Sequence, residues 1–106
     1  MSYQCISIAE AEAIVQSGEA ALLDIRDGAS FSASHIKDAA HLTNENVADV
    51  ISNADKEKPL VIYCYHGNSS KGAADYFYNQ GFKKTYSVDG GFEIWKLTAR
   101  SITIKH

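Results

Sequence analysis

Short, nearly continuous apolar runs alternate along this chain with segments whose apolar residues recur at helical spacing. Gln4 to Ile6 reads as a brief strand, and Ser7-Ile8-Ala9-Glu10 has the form of a capping box, with a hydroxyl at the cap and a carboxylate three residues on. Ala11, Ile14 and Val15 then share one helical face, and Gly18 is placed to end that helix. Ala20 to Ile25 is a nearly unbroken apolar run, which suits a strand covered on both faces in a parallel sheet. Asp24, Arg26 and Asp27 gather at its carboxyl end. Gly28 to Ser34 reads as a short helix and Ala39 to Leu42 as another brief strand. Thr43-Asn44-Glu45-Asn46 then caps a helix with Val47, Val50, Ile51 and Ala54 as its buried stripe.

Asp55 to Pro59 is the most polar stretch and carries the only proline, so it is expected to be a surface connection within one domain. Leu60 to Tyr63 is the next strand, ending on Cys64. A polar loop with Gly67 and Asn68 follows, and the small residues after it open a helix that runs to Gly81 with Ala73, Ala74 and Phe77 on one face. Thr85 to Val88 is the last strand candidate. Asp89-Gly90-Gly91 is turn chemistry, and Phe92 to Leu97 begins a final helix. Phe77, Tyr86 and Trp95 are expected in the core, and the tail from Ala99 carries no assignment. About five strands alternating with helices predict a single α/β domain over residues 1–106, with a mainly parallel sheet. The ligand site of such a sheet lies beyond the carboxyl ends of its strands, where Cys64 falls.

Composition narrows the partners. A net charge of -3 with scattered Lys and Arg leaves no basic footprint for nucleic acid or anionic lipid. No segment approaches the length needed to span a bilayer, and the N-terminus lacks a basic region followed by an apolar core. The two cysteines, Cys5 and Cys64, stand in unlike contexts without metal spacing, so neither a disulfide scaffold nor a structural metal is indicated. The compartment expected on these grounds is the reducing cytoplasm.

Cys64 alone reads equally well as a small buried hydrophobe. Its neighbours Tyr65, His66, Gly67, Asn68, Ser69 and Ser70 change that reading, because they are too polar for a core and glycine followed by asparagine allows a curled backbone. A loop curled around the sulfur with its amides inward, at the start of a helix, lowers a thiol pKa from its free value of about 8.5. A thiolate present at working pH is a nucleophile. Cys64 is therefore the candidate catalytic residue, and the six residues from Tyr65 to Ser70 are the candidate substrate-binding set.

Four blocks occur in an order that resembles the signatures of rhodanese domains. They are Leu23-Asp24-Ile25-Arg26, then Ser34-His35-Ile36 with Ala39, then Cys64-Tyr65-His66-Gly67-Asn68-Ser69, and last Asp89-Gly90-Gly91-Phe92 with Trp95. The resemblance spans nearly the whole chain. It implies a five-stranded, mainly parallel sheet with helices on both faces and a persulfide-forming cysteine at Cys64. By double displacement, Cys64 would take the outer sulfur of thiosulfate, release sulfite, and pass the sulfur to cyanide or to a thiol such as reduced thioredoxin, with no metal or organic cofactor. The chain departs from the family pattern at Ser34 and Asp38, where glycine is usual, and at Ser30, where glutamate is usual, which leaves the partner of Arg26 open. The loop also lacks the Arg or Lys that many thiosulfate-using rhodaneses carry. It has only His66, with Lys71 just outside, so weak attraction for a dianion and a high Michaelis constant are expected.

Other readings follow from the same residues. A cysteine phosphatase needs a longer loop ending in arginine, and the residue six after Cys64 is Ser70. Non-catalytic rhodanese-like modules commonly lack the cysteine that is present here. A sulfur relay fed by another persulfide-bearing protein would use the same nucleophile. The remaining candidates read as structural: Cys5 as a buried or half-buried thiol in a strand, His35 and His41 as hydrogen-bonding residues near strand ends, His66 as lining of the pocket mouth, and Asp24 with Arg26 as an ion pair.

Overall fold

The computed structural model describes residues 3–98. Five strands, β1 (Gln4–Ile6), β2 (Ala21–Asp24), β3 (Ala40–His41), β4 (Leu60–Tyr63) and β5 (Thr85–Val88), pair in parallel in the order β1-β5-β4-β2-β3. Helices α1 (Ile8–Gln16), α2 (Gly28–Ala33), α3 (Val47–Asn53), α4 (Ser69–Asn79) and α5 (Gly91–Trp95) connect or follow them, and a 3-10 turn covers Lys96–Thr98. The tail from Ala99 lies outside the described residues.

The alternation of side chains along a strand sorts the core into two layers. On β4, Val61 and Tyr63 enter one apolar cluster with Leu22, Val88, Phe92 and Trp95, which α1 and α5 cover. Leu60 and Ile62 enter the other with Leu23, Ala74, Phe77 and Phe82, which α3 and α4 cover. All four β4 residues are buried, as the unbroken apolar run requires. Cys64 continues the alternation onto the α4 side.

Local sequence signals account for most of the boundaries. Ser7 and Glu10 form the reciprocal capping box on α1, with Glu10 Oε1 accepting from the Ser7 amide at 2.8 Å and Ser7 Oγ from the Glu10 amide at 3.1 Å. Gly18 closes α1 at φ 80. Thr43 and Asn46 exchange hydrogen bonds with each other's amides ahead of α3, although Asn46 makes no side-chain cap bond to the helix itself. Asp38 adopts φ 70, a left-handed conformation in which glycine is easiest and aspartate is tolerated. Ser34, by contrast, is extended at φ -170, which any residue adopts.

Two expectations about the core need correction. Cys5 is exposed, not buried, because β1 is an edge strand with β5 on one side and no strand on the other. Tyr86 is only half-buried and packs against the first cluster from its margin. Phe77 and Trp95 are fully buried.

Candidate active site

Cys64 is the first residue beyond central strand β4, between β5 and β2. The chain then curls, with Gly67 at φ 93, before α4 begins at Ser69. The sulfur sits inside the curl. Gly67 and Ser70 donate their amides to Cys64 Sγ at 3.2 and 3.3 Å, and the Ser70 hydroxyl lies 3.5 Å from it. Burial pushes the Cys64 thiol up, but the Ser70 hydroxyl together with the amides of Ser70, Gly67 and His66 outweighs it, so the net shift is downward. Cys64 is only 5% exposed, so its sulfur lies largely within the curl.

The curl is held open from behind by a second helix start. The amides of Phe92 and Glu93, in the first turn of α5, donate to the carbonyls of Cys64 at 2.8 Å and Tyr65 at 3.0 Å. Carbonyl and amide of a trans peptide point opposite ways, so turning the Tyr65 carbonyl onto α5 turns the His66 amide towards the sulfur. Close approach makes this possible. A Cβ on Gly91 would stand 2.5 Å from the carbonyl oxygens of both Cys64 and Tyr65, and one on Gly67 3.0 Å from the Gly90 nitrogen. Asp89-Gly90-Gly91 therefore serves the site, which its reading as turn chemistry did not anticipate.

Arg26 braces the neighbouring wall. Its Nη2 lies 2.7 Å from Asp24 Oδ2 and donates to the Ser34 carbonyl at 2.6 Å, and its guanidinium carbon lies 3.9 Å from the centre of the Phe92 ring. Asp24 and Arg26 thus form the expected ion pair, buried, with the open question of Arg26's partner answered by Asp24 and a backbone carbonyl. Ser30 takes a different role. The Tyr65 hydroxyl donates to Asp27 Oδ1 at 2.8 Å and Ser30 Oγ donates to the same oxygen at 2.9 Å, which sets the two hydroxyls side by side. These bonds, with that from the Ser30 amide, hold the Asp27 carboxyl down at about 2. His35 Nδ1 donates to the Phe31 carbonyl at 2.8 Å and His41 Nε2 to the Arg26 carbonyl at 2.6 Å, both structural bonds.

The candidate substrate-binding set therefore divides. Gly67 and Ser70 face the sulfur with their amides, as does His66. The Tyr65 side chain turns away to Asp27, Asn68 and Ser69 supply the helix start, and the His66 side chain is exposed. Ser87 was missed: fully buried on β5, its hydroxyl lies 2.7 Å from that of Ser70. A serine two residues after Thr85, on the same face of the strand candidate Thr85 to Val88, was the available signal. Among the described residues no group of three or more His, Cys, Asp or Glu is arranged to hold a metal ion, and no helix is long and apolar enough to cross a membrane.

A thiol at the end of a central parallel strand, inside a loop of inward amides, matches a known design, and the rhodanese-like domain family matches residues 7–98: the chain belongs to that family. Its relatives include the thiosulfate sulfurtransferase GlpE of Pseudomonas savastanoi pv. phaseolicola, 50% identical over 96 residues, covering 91% of this chain and 90% of that one. The GlpE of Pseudomonas syringae pv. syringae is likewise 50% identical over the same shares. The crystal structure of a rhodanese-related protein from Thermoplasma volcanium superposes with a TM-score of 0.80 at 18% identity, over 97% of this chain and all of that one, which establishes the fold.

Proposed function

We propose that this protein is a thiosulfate sulfurtransferase that works through a persulfide on Cys64, with Tyr65 to Ser70 forming the substrate-binding loop. The observation that carries the reading is the position of Cys64 Sγ, which accepts the Gly67 and Ser70 amides at the centre of the curl. Similarity over most of the chain to proteins named thiosulfate sulfurtransferase supports the choice of donor.

The steps balance as a double displacement. Cys64 thiolate attacks the outer sulfur of thiosulfate, a new S–S bond forms, and sulfite leaves with the electrons of the bond that breaks. Charge now rests on the outer sulfur of the persulfide, still within reach of amides fixed in place before the reaction, so little reorganisation is needed. Cyanide takes that sulfur and leaves as thiocyanate, restoring the thiolate. With a dithiol such as reduced thioredoxin, the first thiolate takes the sulfur and the second expels it as hydrosulfide, closing a disulfide on the acceptor. The nucleophile must stay unoxidised between turnovers, which fits the reducing cytoplasm.

Binding of the dianion has little help from fixed positive charge. Arg26 is committed to Asp24, and Lys71 and His66 are exposed at the rim. A high Michaelis constant for thiosulfate follows, and a micromolar value at physiological salt would contradict this account of the loop. The nucleophile itself is tested by intact mass after incubation with thiosulfate. One sulfur atom should add to the native protein and to Cys5→Ala but not to Cys64→Ala; equal adducts on both variants would refute the assignment.

A further inference from the structure

The hydrogen bonds around Cys64 continue beyond the loop. Ser70 Oγ lies 3.5 Å from the sulfur on one side and 2.7 Å from Ser87 Oγ on the other, and both serines are fully buried. Two hydroxyls stand in line behind the sulfur, each able to donate one proton and accept another.

The charge on the sulfur sets the direction of this line. A thiolate only accepts, so Ser70 donates to Sγ and its oxygen is left to accept from Ser87. With Cys64 protonated, the S–H donates to Ser70, Ser70 donates to Ser87, and the Ser87 proton is displaced from Ser70. In the first arrangement both bonds run towards a negative charge and polarise each other; in the second the line starts from a weak donor. A hydroxyl behind Ser70 therefore favours the anion over the thiol.

We propose that Ser87 is a positioning residue for the sulfur chemistry, its buried hydroxyl turning that of Ser70 onto Cys64. The proposal rests on Cys64 being the nucleophile and assigns a strand residue, outside the loop, to its activation. The charged and titratable groups around the pocket, His66, Lys71, Asp89, Glu93 and the pair Asp24 and Arg26, are the same in every variant compared below, so differences between variants report the hydroxyls.

The test is the pH dependence of iodoacetamide alkylation in a Cys5→Ala background, read by intact mass. Ser87→Ala should move the midpoint up by about half a pH unit, Ser70→Ala should move it further, and the double variant should match Ser70→Ala alone. A Ser87→Ala midpoint equal to the parent's, or a double variant shifted by the sum, would overturn the proposal. Should the alanine variant melt early, Ser87→Thr and Ser87→Val are nearly isosteric and differ in the hydroxyl. Threonine should keep the parent's midpoint and valine should raise it, and equal midpoints for the two would refute the role. Persulfide formation on Cys64 of the parent checks the underlying reading separately, since its failure would leave the alkylation midpoints unaltered.

Discussion

Asp27 shows how one exposed side chain can be committed by its neighbours. It caps α2 through the Ser30 amide, accepts from Ser30 Oγ and holds the Tyr65 hydroxyl, and its carboxyl sits at about 2 instead of the ordinary 3.8. A carboxyl depressed by folding adds stability that is present above its unfolded pKa and is lost as pH falls through the folded value. Here that window runs from the ordinary carboxylate range down to about 2. Tyr65→Phe removes the largest of the bonds responsible, so an NMR titration of Asp27 should move up towards the ordinary value. An unchanged midpoint would show that Ser30 alone holds the charge. Cys64 is shifted in the same direction for related reasons, so its thiolate should persist below the free-thiol midpoint of about 8.5 in an alkylation profile. Cys64 was visible as a candidate because Cys-x-x-Gly-Asn is a local signal, whereas Asp27 was read only as part of the charged end of β2 and its cap on α2 emerged from the structure. Exposed Cys5 was misread, since strand identity is local but edge position is not.

At the scale of elements, the two helix starts that meet at the loop behave differently towards added bulk. Gly91 at φ 60 lies against two carbonyls at 2.5 Å, so Gly91→Ala should destabilise the fold by about 2 kcal/mol or more and open the cradle, with a loss of persulfide yield. Gly72, in α4 on the exposed side, has nothing within 4 Å of where a Cβ would be. Gly72→Ala should stabilise by about 0.5–1 kcal/mol through helix propensity, with transfer rate unaffected. Thermal melts of the two variants check both signs. The boundaries of α1, β4, α4 and β5 were readable from capping residues, glycine and apolar runs. What escaped was the contact of α5 with the loop, which joins residues 64 and 65 to residues 92 and 93.

Over the whole molecule, the buried pair of Asp24 and Arg26 ties β2, the end of α2 and α5 together through Ser34 and Phe92. Asp24→Asn leaves the guanidinium buried without its counter-charge and should cost about 3–5 kcal/mol, read as a lower denaturant midpoint. Asp24→Leu combined with Arg26→Met should cost less than Asp24→Asn alone, because no unpaired charge is then left inside.

Alternating apolar runs and helical stripes were sufficient to predict about five strands, a mainly parallel sheet and a thiol at a strand's end, because the alternation of strand and helix is written in residues close in the chain. Only the tertiary structure decided which amides reach the sulfur, that Gly91 admits α5 against the loop, and that Ser87 stands behind Ser70. The physical reason is that hydrogen bonds act over about 3 Å, and which distant residues come within that range is settled by how strands order and helices pack.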